Sequence, residues 1–295
     1  MKAAIFDIGS NSIRLIVFGD AGEPLFKGKT NCRLGENVAK TGVLSDASIG
    51  RAFAALSGLT GKAYEKGVTE DGLFAFATEA VRRAADGKEF LAAVESTFKI
   101  KCRLLGGDEE AEIGLSGVLG QGDGAVIDIG GASSELAVRR GGKIIFSRSL
   151  DVGAGVFRDA YLNAPELLKE AAERAVARYG NVPTITDLYA IGGTASGCAY
   201  VYKNLDSYDE RAIDGLILDK DFVFTLTDKL LAFDDDERAK RFHLDENRAK
   251  VLPYGAEIFS AAIKKISPER VVVSERGNVE GYYEKLKAEG ALGGF

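Results

Sequence analysis

Histidine is almost missing: the 295 residues contain one, His243. It lies in the polar stretch RFHLDEN, between predicted helices, and reads as a structural or solvated position. That removes Ser-His-Asp catalysis and any multi-histidine metal site. Cysteine is scarce, with Cys32, Cys102 and Cys198 far apart and in no CxxC spacing. A disulfide framework or zinc site is therefore not expected, and the three read as buried small apolar residues. No apolar run reaches membrane-spanning length, and the N-terminus enters a strand at once, without a signal-peptide layout. The expectation is a cytoplasmic chain with no membrane partner. Basic residues are outnumbered, 38 Lys and Arg against 44 Asp and Glu, for a formal charge of −6. That balance argues against a nucleic-acid partner.

What is present is ordinary soluble composition, 46% hydrophobic and 28% charged, with 36 glycines that fit many tight turns. The length leaves room for two domains with proper cores.

The most informative stretch is Ala4 to Val17, AIFDIGSNSIRLIV. An apolar run ends in Asp7, a Gly9-Ser10-Asn11-Ser12 turn follows, and a second apolar run is interrupted by Arg14. This predicts strand, turn, strand, Gly and Asn tolerating the backbone angles of a hairpin. Amide donors and hydroxyls beside a carboxylate suit a phosphate that carries a divalent cation. The pattern returns without gaps 121 residues later as AVIDIGGASSELAV, Ala125 to Val138. Here Asp128 ends the strand, Gly130, Gly131, Ser133 and Ser134 form the turn, and Glu135 stands where the first copy has Arg14. Turn chemistry alone does not require Asp at both strand ends. Two related halves are predicted, each presenting an Asp-Gly-Ser turn, with a polyphosphate ligand in the cleft between them. An acidic protein that binds a polyanion must concentrate Lys and Arg locally and borrow metal cations for the rest.

Three further places carry chemistry. The strand Leu73–Ala77 delivers the chain into TEAVRRA, where Arg82 and Arg83 can offer guanidinium forks to phosphate oxygens. Asp108, Glu109 and Glu110 open a helix just before the second hairpin, where negative charge offsets the helix dipole. The strand Asp187–Ile191 ends in GGTASG, a third turn whose Gly193 and Thr194 suit a phosphate, ribose or base. The acidic run Asp234–Glu237 reads as a solvated helix start, with Ser45 as the N-cap of an earlier long helix. The Gly-rich stretch from Val118 to Gly124 places a domain boundary at 118/119, dividing the chain into residues 1–118 and 119–295.

FDIGSNSIRL and IDIGGASSEL resemble the two phosphate loops of the exopolyphosphatase/guanosine pentaphosphate phosphohydrolase (Ppx/GppA) family. RAKVLPYGAEIFSAAI is similar to that family's late LPxG segment. The strand and helix alternation predicts an α/β fold, which the resemblance narrows to two actin-like, ribonuclease H-like domains with mixed sheets and an interdomain active-site cleft. It further implies a catalytic set of Glu110, Arg82 and Glu135. Glu110, selected by the register GxxEA, is the base for water, which leaves Glu109 and Glu112 on the helix surface. A nearby phosphate charge must raise the pKa of such a base. Asp7 and Asp128 would hold Mg²⁺, with a monovalent cation such as K⁺ as a further option. Arg14, Gly9, Ser10, Asn11, Ser12, Gly130, Gly131, Ser133, Ser134, Gly193 and Thr194 would contact the phosphates.

The implied activity is hydrolysis of a terminal phosphoanhydride, of inorganic polyphosphate or of guanosine pentaphosphate. No aromatic-flanked guanine pocket stands out, which favours polyphosphate. A sugar or acetate kinase and a non-catalytic polyphosphate or alarmone sensor are the readings from other classes. A homodimer is implied as well. Three departures from the family pattern stand out: Ala132 and Ser134 within DIGGASSEL, and Val279 in GNVEG, where the family has Arg. The helical C-terminal extension of longer members, with its metal-binding His and Asp, has no room in this sequence.

Overall fold

The structure, a computed structural model, describes Met1–Leu292. Two compact units emerge, Met1–Ile113 with Asn278–Phe295, and Gly114–Gly277.

In the first unit β1 (Ala3–Ile8), β2 (Ser12–Phe18) and β3 (Pro24–Asn31) form an antiparallel meander. After α1 (Val38–Thr41), α2 (Asp46–Glu65) crosses to β4 (Leu73–Ala77), which pairs parallel to β1. The short α3 (Glu79–Arg83) and α4 (Gly87–Phe98) then lead to β5 (Lys101–Leu104), giving the sheet order β3-β2-β1-β4-β5. Ser45 caps α2 as expected, its hydroxyl accepting from the Ser48 amide at 3.2 Å. Leu56 and Ala63 of α2 enter the core beneath β1 and β2, with Ile49 and Phe53 packed at its edge.

α5 (Gly107–Leu119) carries the chain from the first unit into the second. There β6 (Gly124–Ile129), β7 (Ser134–Arg140) and β8 (Lys143–Leu150) form another meander. α6 (Ala154–Tyr161) and α7 (Leu168–Ala177) precede β9 (Asp187–Ile191), parallel to β6. α8 (Gly192–Lys203), α9 (Glu210–Ile213), α10 (Lys220–Leu231), α11 (Asp235–Arg241) and α12 (Glu246–Ile266) come before β10 (Arg270–Val273). The order β8-β7-β6-β9-β10 repeats that of the first sheet element for element. The duplication reaches the irregularities: the register shifts at Val17/Phe18 in one meander and at Val138/Arg139 in the other.

The chain then returns. α13 (Asn278–Ala288) lays Val279, Tyr282, Tyr283 and Leu286 on the face of the first sheet made by Ile5, Ile16, Phe18, Phe74 and Phe76. Phe18 and Tyr283 stack at 4.0 Å between ring centroids. A single cut at 118/119 therefore does not describe the units. Residues 278–292 belong with the first unit because that sheet face is apolar and α13 is what buries it. The Gly-rich stretch after α5 also lies inside the second unit, bound by the buried Arg139 of β7, which donates to the Gly120 carbonyl and to Ser116 Oγ.

Candidate active site

Both hairpin turns have the same construction. The Gly9 amide donates to the Ser12 carbonyl at 3.1 Å, and the Gly130 amide to the Ser133 carbonyl at 2.9 Å. None of Gly9, Ser10, Asn11, Gly130 or Gly131 has a positive φ, so these turns do not draw on the left-handed freedom that Gly and Asn have. Space favours glycine instead: a Cβ would lie 3.2 Å from the Ser12 carbonyl at Gly9, and 3.3 Å from that of Ser133 at Gly130, both tight contacts.

The carbonyl side of each loop is then held from behind. Gly35 donates to the Ser10 carbonyl at 2.8 Å, and Cys32 and Arg33 donate to that of Asn11 at 3.0 and 2.9 Å. In the second loop Ala154 donates to the Gly130 carbonyl at 2.9 Å and Gly155 to that of Gly131 at 2.8 Å. Across a trans peptide the next N–H points the opposite way. The Asn11, Gly131 and Ala132 amides are therefore turned away from these supports, Asn11 and Ala132 at equivalent positions of the repeat. The Gly9 and Gly130 amides are spent on closing the turns. Two glycines make the support possible: Gly35 packs between Ser10 and Ala80 of α3, and a Cβ on Gly153 would fall 2.4 Å from the Ala132 nitrogen.

The charged groups differ between the copies at one equivalent pair. In the first unit Asp7 faces Arg14 across β1 and β2, and Arg14 faces Lys29 on β3. Burial pushes the Asp7 carboxyl above its ordinary range, against the pull of the Arg14 and Lys29 charges. In the second unit Asp128 faces Glu135, and Glu135 faces Ser149, whose hydroxyl donates to Glu135 Oε1 at 2.7 Å. Asp128 also lies against Gly192, where φ is +79° and a Cβ would be 2.2 Å from Asp128 Oδ1. That glycine answers to both a backbone and a space requirement.

Glu110 lies in the first turn of α5 and is 6% exposed. Arg82 Nη1 is 3.9 Å from its Oε2 and also donates to the Leu105 carbonyl, while Arg82 Nη2 pairs with Glu79. The structure thus joins Glu110 and Arg82 in one cluster of the first unit. Glu109 is more than a surface residue, since it pairs with Arg103 at 2.8 Å and with Lys285 of α13.

Other candidates are committed within the fold. The Ser134 hydroxyl donates to the Val152 carbonyl, and the buried Thr194 hydroxyl to the Ile129 carbonyl at 2.8 Å. Gly193 follows Gly192 in the first turn of α8. Ser12 is buried at the start of β2, and Ser133 is buried just before β7. His243 is half exposed, 3.4 Å from Asp206, and its carbonyl accepts from Tyr200. Cys32 and Cys198 are buried as expected, whereas Cys102 is half-buried. Val279 is 4% exposed and belongs to the apolar face of α13.

Two groups beside these residues had no sequence assignment. Glu79 follows from its i, i+3 spacing to Arg82, which TEAVRRA does contain. Tyr179, fully buried, donates to the Ser134 carbonyl at 3.2 Å, and its pKa is pushed well up by burial and by the Glu135 and Asp128 charges. Nothing local marks that tyrosine.

Comparison with known proteins places the chain in a family. The model of the Ppx/GppA phosphatase family matches residues 15–289, and the chain belongs to that family. It is similar to the Ppx/GppA family member of Aquifex aeolicus, whose crystal structure superposes with a TM-score of 0.79 at 25% identity over 98% of both chains. Among curated proteins it is 25% identical to the bifunctional 3-dehydroquinate synthase/phosphatase of Fusobacterium nucleatum, over 95% of this chain and 46% of that one. It is also 28% identical to the guanosine-5'-triphosphate,3'-diphosphate pyrophosphatase of Aeromonas hydrophila, over 59% of this chain and 36% of that one. The chain spans about half the length, or less, of the curated relatives it matches. Its two mixed five-stranded sheets flanked by helices are the actin-like fold of the family. No helix among the described residues is long and apolar enough to cross a membrane.

Proposed function

We propose that this chain is a phosphoanhydride hydrolase that removes the terminal phosphate of inorganic polyphosphate. The observation that carries the reading is the buried Glu110 beside the Arg82 guanidinium, in the unit whose hairpin turns the Asn11 amide outward. Glu110 would accept a proton from the attacking water while Arg82 and Arg14 stabilise the charge that develops on the transferring phosphate. The amide of Asn11 in the first unit, and those of Gly131 and Ala132 in the second, would each fix phosphate oxygens. Ser10 would add a hydroxyl, and Glu135, oriented by Ser149, would support the water network.

The donor set suits Mg²⁺. Asp7 and Asp128 offer hard carboxylate oxygens, and the missing Cβ of Gly192 leaves Asp128 its room. Among the described residues no group of three or more His, Cys, Asp or Glu converges. That fits a cation held by one or two carboxylates and otherwise by the substrate's own phosphates. Such an ion would offset phosphate charge and favour departure of the leaving oxygen.

Guanosine pentaphosphate is the second reading, favoured by the likeness to the Aeromonas enzyme. The groups at the loops would read phosphate oxygens, which supports polyphosphate as the first reading. A homodimer is part of the proposal on family grounds. The test is orthophosphate release from long-chain polyphosphate, short-chain polyphosphate and guanosine pentaphosphate, each with and without Mg²⁺. The reading predicts release from the polyphosphates that stops when Mg²⁺ is chelated. Release from the nucleotide alone selects the second reading. Tight binding without release makes the protein a sensor, and transfer from ATP to an acceptor makes it a kinase.

A further inference from the structure

Glu79 poses a problem that the catalytic reading leaves unsolved. It is a carboxylate only 9% exposed, at the start of a five-residue helix. A buried carboxylate persists where a partner and hydrogen bonds compensate its desolvation. Arg82 Nη2 supplies that compensation at i+3, with Arg83 Nε at 3.8 Å from the other oxygen. On the other prong, Arg82 Nη1 donates to the carbonyl of Leu105, and Leu105 is itself anchored by its amide to the Ala77 carbonyl at 2.9 Å. Two bonds from different nitrogens of one planar group define its plane as well as its position. Two of the five guanidinium N–H donors are used in this way, and the remaining three are carried in a fixed orientation beside Glu110.

We propose that Glu79 is a positioning residue for Arg82: it clamps one edge of the guanidinium so that an incoming phosphate meets an oriented fork and not a free rotor. The inference rests on Arg82 being a phosphate contact, as proposed above. An oriented donor loses less rotamer entropy on binding an anion, so the clamp acts on affinity through Arg82 alone. The alternative is that Arg82 is present to neutralise Glu79 for the sake of the fold, in which case Glu79 has no influence on phosphate.

A double-mutant cycle separates the two. The probe is sodium tripolyphosphate, titrated calorimetrically in metal-free buffer into wild type, Glu79→Ala, Arg82→Ala, the double variant and Glu79→Gln, with a melting temperature for each. Arg82→Ala is expected to weaken binding about tenfold or more, the scale of a lost charge-assisted contact. Glu79→Ala should weaken it about fivefold with Arg82 present and less than about twofold without it. Glu79→Gln, whose amide oxygen still accepts from Nη2, should bind within about twofold of wild type. Should Glu79→Ala not fold, Glu79→Leu, close to glutamate in volume, takes its place in the cycle. Equal losses from the Glu79 change in both backgrounds, or wild-type affinity in Glu79→Ala, overturn the inference while leaving Arg82 a phosphate ligand. Wild-type affinity in Arg82→Ala overturns the phosphate role of Arg82 and this inference with it.

Discussion

Asp7 with Arg14 and Asp128 with Glu135 occupy the same register of a duplicated hairpin, yet one pair nearly cancels its charge and the other doubles it. Beside the acidic pair, Ser149 donates to Glu135 and Tyr179 donates to the backbone carbonyl of Ser134. Tyr179 has no access to water with which to replace its bond. Tyr179→Phe should therefore lower unfolding free energy by about 1–2 kcal/mol in urea titration, the cost of a buried hydrogen bond left half-made. Unchanged stability would show that the hydroxyl carries none of the loop's support. Arg14 was legible from sequence because it breaks an apolar run. Tyr179 was not, since an aromatic at the end of an amphipathic helix is what core packing supplies in any case.

At the level of elements, the second loop depends on the bend before α6. Gly153 has ordinary extended backbone, φ −143° and ψ 165°, so its need for glycine is purely steric. Its added Cβ would meet the Ala132 nitrogen at 2.4 Å and the Gly131 carbonyl carbon at 2.5 Å, both backbone atoms. Gly153→Ala should cost about 1–3 kcal/mol of stability, as overpacking does, and should reduce phosphate affinity because the loop must move. Retained affinity with lost stability would uncouple the bend from the loop. A different element pair carries a pH dependence. Arg270 of β10 donates from two nitrogens to Asp187 of β9, at 2.6 and 2.7 Å, and these bonds hold the Asp187 carboxyl below its ordinary range. A depressed folded-state pKa contributes stability above the ordinary Asp value, and that contribution fades as pH falls through the lowered one. Asp187→Asn should thus melt slightly below wild type at neutral pH, and the gap should close below about pH 4. A gap that persists in acid would assign the effect to packing.

The repeated strand ends and turns were legible because a continuous apolar run closed by Asp-Ile-Gly is local and occurs twice. The use of the turns was less so. The support of the loop carbonyls by Cys32, Arg33 and Gly35, and by Ala154 and Gly155, is a long-range backbone matter that side-chain identity hardly reports. For the same reason Ser134 and Thr194 read as ligand hydroxyls, although their partners are the Val152 and Ile129 carbonyls.

On the scale of the whole molecule, the return of α13 to the first sheet is the feature that a linear division at 118/119 misses. It also gives Val279 a meaning. Its place in GNVEG reads as a lost cationic contact, yet the side chain lies with Tyr282, Tyr283 and Leu286 against the β1 face. Val279→Arg, which restores the family residue, should cost about 2–4 kcal/mol because it brings a charge into an apolar face. A variant that is as stable as wild type and binds phosphate more tightly would show that this position belongs to the site.

Glu110 is the proposed base that activates water. The direct measurement is steady-state orthophosphate release from long-chain polyphosphate with Mg²⁺ by wild type and Glu110→Gln, the amide keeping size and burial but accepting no proton. A loss in kcat of about a hundredfold or more, with melting temperature preserved, is the predicted result. Glu110→Gln turning over at the wild-type rate would contradict the mechanism.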